Sequence, residues 1–293
     1  MGAILPDHDK HTVVITFLQT SIAMVAFAAN PLLCRLALRE EHIDAASFAT
    51  VRVISGALVL ALILLLQKKN DYRPRASWWP TFMLFTYMVL FSFAYLTLSA
   101  GTGTLILFGA VQLTMFTVGL RRGEPFSLLS WAGLTLAVAG LVYLVSPGVT
   151  APDPAGAFMM MIAGIAWGIY SLLGKACSNP MAATANNFIY SVPLVIVVSL
   201  LFLEDLNIST EGIMLAAASG AIASGLGYSI WYAALRVLKP TSAATVQLSV
   251  PAIAAFGGVL FLSEPLTLRL ILASTATLGG GAIVVSRRNL SLK

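Results

Sequence analysis

The chain matches itself at a constant offset of 140 residues. Under this offset the dipeptide Glu124-Pro125 falls on Glu264-Pro265, and apolar residues fall on apolar residues over most of the length. Apolar matches arise easily by chance in an apolar sequence, but an acidic residue followed by proline at the same offset does not. We therefore predict two homologous halves, residues 1–146 and 147–293.

The composition indicates that both halves lie in a membrane. The chain is 58% hydrophobic and 10% charged, with a mean hydropathy of +0.89, which is more apolar surface than a soluble core of this size can bury. A helix needs about 20 mostly apolar residues to cross the hydrocarbon layer. Such windows recur ten times, five per half, and the least distinct break between them is Ser99 to Gly101. The predicted spans are 13–34, 45–66, 77–98, 101–120, 126–146, 155–174, 183–203, 212–235, 241–262 and 266–286.

An odd number of spans per half means that the second half enters the membrane from the opposite side, so the two repeats are inverted. Lys and Arg in short loops favour the cytoplasmic side. With the N-terminus inside, only four of the 17 Lys and Arg residues fall on the outer side or its margin: Arg35, Arg39, Arg52 and Arg269. We therefore predict a multi-pass membrane protein with both termini cytoplasmic. The net charge of +5 follows from this orientation and from lipid contact, and we expect no nucleic-acid partner.

Residues typical of enzymes are sparse and scattered. The two cysteines, Cys34 and Cys177, fall at opposite ends of predicted helices, too far apart for a disulfide. The three histidines, His8, His11 and His42, lie in the N-terminal tail or the first loop. The sequence also lacks a glycine-rich phosphate loop with its lysine. We expect neither catalytic residues nor a cofactor or metal.

Inverted repeats in a polytopic membrane protein are typical of secondary carriers. Small and aromatic residues at Ala26-Phe27 and Ala166-Trp167, together with Glu-Pro before the last helix of each half, resemble the drug/metabolite transporter superfamily, in its ten-helix EamA-like branch. Within that branch the chain is similar to bacterial exporters of aromatic and neutral amino acids. The resemblance implies that helices 1–4 and 6–9 enclose the cavity, with the fifth and tenth helices peripheral.

Charged residues inside the predicted spans are nearly absent. No Asp or Glu falls in any predicted span, and Arg52 is the one basic residue in a span interior. Arg52 either snorkels to the outer headgroups or contacts a carboxylate at an outward vestibule; its repeat equivalent is Val192. Glu124 and Glu264 each precede a proline, so we interpret them as caps of the helices that follow.

A cavity without fixed charges must be built from rings and neutral hydrogen-bonding groups. Phe27 and Trp167 are repeat equivalents, so we expect their rings to face each other across the pseudo-two-fold axis. An amide in hydrocarbon needs a partner, which the cavity or a neighbouring helix could supply. The predicted substrate-binding residues are Phe27, Asn30, Tyr87, Tyr95, Gln112, Trp167, Tyr170, Asn187, Tyr190, Tyr228, Trp231 and Gln247.

Glycine and proline positions indicate where helices approach closely or bend. Gly164 and Gly168 form a small-residue face on the sixth helix. Gly279, Gly280 and Gly281 serve either packing within a monomer or a dimer contact, and we expect a monomer. The sequence also predicts hinges at the prolines inside spans, which are Pro31, Pro193 and Pro251.

Three functions remain open at this point. The favoured one is export of neutral and aromatic amino acids and related small metabolites by alternating access, without intrinsic proton coupling, because no Asp, Glu or His lies in a predicted span. An exporter of lipophilic drugs is the alternative, but lipophilic cations would call for a membrane-embedded carboxylate. The third is a receptor or scaffold that does not transport. A sugar-phosphate carrier is a weaker fourth, because it would need more buried basic groups than Arg52.

Overall fold

The structure is a computed structural model that describes residues 7–67, 77–123, 127–175, 177–236, 238 and 246–288. Over these ranges the chain is helical, apart from short turns and one isolated bridge between Ile43 and Ile208. The helices are α1 Asp7–Arg39, α2 Ala45–Leu66, α3 Trp78–Ala94, α4 Ala100–Arg121, α5 Leu128–Val145, α6 Pro154–Lys175, α7 Pro180–Leu201, α8 Thr210–Leu235, α9 Ser249–Leu262 and α10 Leu268–Arg288.

These helices confirm the prediction of an all-helical, two-repeat polytopic membrane protein. Within the described ranges, seven are long and apolar enough to cross a bilayer, and α3, α9 and the apolar part of α10 are shorter. The break between the third and fourth spans differs from the prediction. α3 ends at Ala94 and α4 begins at Ala100, so Gly101 lies inside α4 and the turn covers residues 95–99.

Several helices begin at a residue whose side-chain oxygen accepts the backbone N–H three positions later. This contact satisfies a donor that the first helical turn leaves free, which is why Ser, Asp and Asn favour this position. Asp44 does this for α2 at 2.8 Å, and Ser99 for α4 at 3.3 Å. The same cap starts α5, α7 and α8, at Ser127, Asn179 and Ser209.

Contacts between α5 and α10 follow the symmetry of the two halves: a contact made by a residue of one half is also made by its repeat equivalent in the other. Ala137 and Gly140 on α5 are the repeat equivalents of Thr277 and Gly280 on α10. A Cβ added to Gly140 would lie 2.6 Å from Thr277 Oγ1, and one added to Gly280 would lie 2.7 Å from the Ala137 nitrogen. The contact of Gly140 with Thr277 therefore has a counterpart in the contact of Gly280 with Ala137, as in an isologous two-fold contact. α5 and α10 pack chiefly on each other, beside the remaining helices.

The packing of the other eight helices shows the same symmetry between the halves. α6 packs against α3 and α4, and its equivalent α1 packs against α8 and α9. α2 and α7, which are equivalents of each other, cross directly. Thr50 Oγ1 donates to the Val195 carbonyl at 3.0 Å and lies 2.8 Å from Ser199 Oγ. The interior that these eight helices enclose is therefore built from both halves.

One end of the bundle is closed by a set of contacts around Glu264, and we call it the Glu264 end. Glu264 was predicted to cap α10, but its carboxylate instead accepts the Ala100 N–H of α4, at 3.1 and 2.9 Å. It also pairs with Arg35 Nε at 3.5 Å. α10 begins at Leu268, where Thr267 Oγ1 accepts the Leu270 N–H. Glu264 reaches α4 because the chain turns after α9 and carries its side chain back over Ala100. Its repeat equivalent Glu124 lies outside the described residues.

Candidate functional site

Aromatic rings from five helices form one connected group in the interior. Trp167 is central: its ring stacks on Tyr170 at 5.4 Å and on Tyr228 at 5.6 Å, and it packs against Tyr87 at 4.7 Å. Further ring contacts extend the group from Tyr87 and from Tyr228. We call this group the aromatic cluster: Phe27, Tyr87, Phe91, Tyr95, Trp167, Tyr170, Phe188, Tyr228 and Trp231.

The repeat equivalence of Phe27 and Trp167 predicted that their rings face each other, but in the structure the two rings do not face each other directly. Tyr228 lies between them, with ring centroids 5.5 Å from Phe27 and 5.6 Å from Trp167. Trp231 contacts Phe27 edge-on at 6.0 Å. The repeat could not predict a ring between Phe27 and Trp167, because the position equivalent to Tyr228 in the first half is Met88, which has no ring.

Small residues on α6 explain how Trp167 reaches the centre. A Cβ added to Gly164 would lie 2.5 Å from the Leu107 carbonyl oxygen of α4, and one on Gly168 would lie 3.0 Å from Thr114 Cβ. This confirms the close approach predicted for the small-residue face. Because that face of α6 lies against α4, Trp167 and Tyr170 are directed towards α3, α7 and α8.

Hydroxyl and amide groups form a hydrogen-bond network next to Tyr170 of the aromatic cluster. The Tyr170 hydroxyl donates to Thr184 Oγ1 at 3.0 Å, and the Asn187 amide lies 3.5 Å from the Tyr170 oxygen. Thr184 Oγ1 also lies 2.8 Å from the Tyr232 hydroxyl. Tyr232 was not among the predicted residues, although its spacing of four from Tyr228 places both on one face of α8.

A cavity of about 470 Å³ lies beside this network, between α6, α7 and the start of α3. Tyr170, Thr184 and Asn187 line it, and so does Asn186, whose buried Oδ1 has no hydrogen-bond partner in the described part of the chain. The cavity extends to Ser77 at the N-terminal cap of α3, and we call that side of the bundle the Ser77 end. The sequence analysis predicts the Ser77 end to be cytoplasmic.

A π-helical segment in α8 forms a second polar group. α8 is α-helical over Thr210–Ala218, π-helical over Ser219–Leu226 and α-helical again over Gly227–Leu235. In a π-helix the backbone bonds join residues five apart, so Ser219 and Ser224 come to the same side. Both hydroxyls lie against Asn30 Oδ1, at 2.8 and 3.4 Å. The sequence analysis predicted one continuous span over 212–235 from its apolar residues and missed both serines.

Arg52 lies next to this group and is 0% exposed. Its Nη2 donates to the Tyr87 hydroxyl at 3.2 Å and lies 3.5 Å from Ser224 Oγ. Its guanidinium also sits over the Phe91 ring, 4.7 Å from the centroid. The snorkelling interpretation is therefore wrong: the side chain turns into the bundle, because Phe91 and Tyr87 on α3 offer ring faces and a hydroxyl there.

Three predicted residues lie apart from the aromatic cluster. Gln112 faces α10, where a Cβ added to Gly281 would lie 2.8 Å from its Cδ, and its buried amide has no described hydrogen-bond partner. Tyr190 pairs with the exposed Trp78 at 6.0 Å. Gln247 lies half-buried just before α9, and no described contact joins it to the cluster. The sequence placed Gln112 and Tyr190 on the right helices, but the rotation of those helices directs them elsewhere, whereas Gln247 precedes the helix on which it was predicted.

The remaining predicted residues are brought together. Phe27, Tyr87, Tyr95, Trp167, Tyr170, Tyr228 and Trp231 belong to the aromatic cluster, Asn30 lies at the π-helical segment and Asn187 lines the cavity. Gly280 and Gly281 are occupied by contacts within the chain, which supports their role in packing. Among the described residues, no group of His, Cys, Asp and Glu could hold a metal ion.

A ten-helix membrane bundle made of two related halves, with rings and neutral polar groups at its centre, defines the class of membrane transporters. The model of the EamA-like transporter family matches the chain twice, over residues 14–146 and 154–286. The chain therefore belongs to the EamA-like transporter family, within the drug/metabolite transporter superfamily. The two matches are separated by the same offset that relates the halves of the sequence.

Relatives support the same assignment. The chain is 46% identical over 273 residues to an uncharacterized protein of Pseudomonas aeruginosa, covering 93% of this chain and 95% of that protein. It is 25% identical over 252 residues to an uncharacterized transporter of Archaeoglobus fulgidus, covering 83% and 89%. One crystal structure matches with a TM-score of 0.62 at 17% identity, covering 90% of this chain and 98% of that chain, and it supports the fold alone.

Proposed function

We propose that the protein exports neutral and aromatic amino acids, and related small metabolites, across the bacterial inner membrane. The observation that carries the proposal is the aromatic cluster next to a cavity lined by hydroxyl and amide groups. Ring faces suit apolar and aromatic side chains, and neutral donors and acceptors suit a zwitterion. A receptor or scaffold has no need of such a cavity between two related halves.

The two ends of the bundle support alternating access. The Ser77 end holds the cavity, and at the Glu264 end both halves are joined by Glu264 to Ala100 and Arg35. The side chain of Arg35 also donates to the Tyr95 carbonyl at 2.9 Å, above the aromatic cluster. Rocking of one half against the other would close the cavity and separate these contacts. Pro31 in α1 and Pro193 in α7 are the proposed hinges, whereas Pro251 lies in the first turn of α9, where proline fits without bending the helix.

The proposed transport is facilitated and not coupled to protons. Among the apolar spans of the described helices, Glu211 in the first turn of α8 is the single Asp, Glu or His. A proton-coupled carrier needs a group in the membrane that binds and releases protons near neutral pH. Tyrosine and arginine titrate well above that range. With both termini cytoplasmic, the Ser77 end faces the cell interior, which suits loading of an exported solute.

The test is flux of a panel of radiolabelled amino acids in liposomes that contain the purified full chain. We expect counterflow of phenylalanine and other neutral amino acids above that of empty liposomes, without accumulation above equilibrium under an imposed pH gradient or membrane potential. Uphill uptake driven by protons would contradict the facilitated mechanism. Flux of lipophilic cations without flux of amino acids would favour the drug exporter instead, and no flux of either would favour a receptor or scaffold.

A further inference from the structure

Arg52 is a buried cation whose hydrogen-bonding capacity is incompletely used. The side chain is fully buried, and its Nε and Nη1 have no hydrogen-bond partner in the described part of the chain. Nη2 alone makes contacts, to Tyr87 at 3.2 Å and to Ser224 at the long distance of 3.5 Å. Buried polar atoms are almost always paired, so two nitrogens with three free N–H donors on a charged group call for a partner.

The protein surroundings of Arg52 compensate its charge only in part. The ring faces of Phe91 and Tyr87, at 4.7 and 5.5 Å, provide cation–π attraction. The ion pairs of the described residues join Arg35 to Glu264 and His42 to Glu211, and neither includes Arg52. An unpaired charge inside a membrane protein is costly and marks a binding site by default.

The fold itself does not require a charge at this place. The repeat equivalent of Arg52 is Val192, which lies half-buried on α7 where that helix packs against α2 and α3. The two halves therefore form the same crossing with and without a guanidinium. Arg52 is an addition to one half, which points to a role outside the architecture.

Ring contacts connect Arg52 to the cavity. Tyr87, which accepts the hydrogen bond from Arg52, packs against Trp167 at 4.7 Å. Trp167 stacks on Tyr170, and Tyr170 lines the cavity. Arg52 thus lies behind a layer of three rings, on the side of the cluster away from the Ser77 end. A solute that enters the cavity and displaces this layer would meet the guanidinium next.

We propose that Arg52 binds the carboxylate of the transported solute, and this inference rests on the proposed function. A guanidinium offers several N–H donors to a carboxylate, and hydrogen bonds between charged groups are the stronger kind. The aromatic cluster then holds the apolar side chain of the same solute. Because no acidic residue faces the cluster among the described contacts, the carboxylate is the essential group of the solute and its amine is secondary.

The experiment compares four ligands as competitors of radiolabelled L-phenylalanine uptake by the full chain in liposomes. They are L-phenylalanine, 3-phenylpropionate, L-phenylalaninamide and phenethylamine. We expect 3-phenylpropionate, which keeps the carboxylate and lacks the amine, to compete within about tenfold of phenylalanine. The amide and the amine, which lack the carboxylate, should be weaker by more than about tenfold, the loss expected for a hydrogen-bonded charge.

Variants of Arg52 add a second measurement. Arg52→Gln should weaken phenylalanine by about tenfold or more and remove its advantage over the amide, and Arg52→Lys should keep part of that advantage because it keeps the charge. Arg121→Gln, at an exposed arginine at the end of α4, is the matched control and should behave like the unaltered chain. If Arg52→Gln does not fold, the four ligands on the unaltered chain still decide.

The outcomes separate the two proposals. Equal competition by phenylalanine and its amide in the unaltered chain overturns the role of Arg52 and leaves amino-acid export standing. Unchanged ligand preference in a folded Arg52→Gln variant does the same. Absence of phenylalanine uptake in the unaltered chain, with export of no other neutral amino acid, overturns the proposed function and this inference with it.

Discussion

Replacing Gly220 by alanine tests whether the close crossing of α8 and α2 holds the polar group around Arg52 together. A Cβ added to Gly220 would lie 2.8 Å from the Arg52 carbonyl carbon, closer still to its oxygen, and also against Ser55 Oγ. Ser55 can change rotamer, but the Arg52 carbonyl belongs to the backbone of α2. Because carbon and oxygen atoms normally stay about 3.3 Å apart or more, the contact with the carbonyl oxygen requires the helices to separate by about an ångström.

The cost can be estimated from two contributions. Overpacking of a tight interior typically destabilises by about 1–3 kcal/mol. The separation also lengthens the contact of Ser224 on α8 with Arg52 on α2, worth about 0.5–1.5 kcal/mol. Higher helix propensity of alanine offsets at most ~1 kcal/mol. We therefore expect Gly220→Ala to destabilise the protein by about 1.5–4.5 kcal/mol before this offset.

Gly279→Ala is the matched control, because nothing lies within 4 Å of a Cβ at Gly279. Thermal unfolding of both variants in detergent would measure stability, and counterflow in liposomes would measure transport. At roughly 2–4 °C per kcal/mol, Gly220→Ala should melt several degrees lower and lose most of its transport, whereas Gly279→Ala should match the unaltered chain. Equal melting and equal transport of the two variants would refute the argument.

Three further predictions follow from the site and its ends. Trp167→Ala removes three ring contacts and should weaken phenylalanine transport by roughly fivefold to a hundredfold, or ~1–3 kcal/mol, while Trp131→Ala on α5 should not; equal effects would move Trp167 to a packing role. Burial raises the pKa of the Glu264 carboxyl, so the carboxyl binds a proton more tightly when the Glu264 end is closed than when that end is open to solvent. Low pH therefore favours the closed end, and this stabilisation is lost as pH rises through the raised pKa. Labelling of a cysteine at the buried Ala100, divided at each pH by labelling of a cysteine at the fully exposed Val149 to correct for thiol ionisation, should therefore increase with pH. Glu264→Gln should abolish the increase of this ratio, and an increase that survives the substitution would exclude Glu264. A cysteine at Asn70 should resist an impermeant reagent applied from outside, and its labelling would contradict the predicted orientation.

The sequence predicted which helices carry the residues of the candidate site, but not which way each side chain faces. The sequence placed Tyr87, Trp167 and Tyr228 on helices that meet, because the family resemblance implied that helices 1–4 and 6–9 enclose the cavity. It could not predict that Gln112 faces Gly281 instead, because an amide in a span has no face of its own until its helix is rotated against a neighbour. Ser219 and Ser224 stayed hidden for a related reason: a π-helical segment brings together residues that the period of an α-helix separates.

The sequence by itself determined the spans, because the thickness of a bilayer fixes how many apolar residues a helix needs. It determined the family as well, because the Glu-Pro dipeptides and the pairs Ala26-Phe27 and Ala166-Trp167 can be read without the fold. It also determined where many helices begin, since a capping side chain acts within three residues of its own helix. The tertiary structure alone decided the partners of Glu264 and Arg52. Glu264 caps Ala100 from 164 residues away, and Arg52 turns inward because two rings of α3 lie beside it. Those contacts depend on how the packed helices are rotated and crossed, which no local pattern in the sequence records.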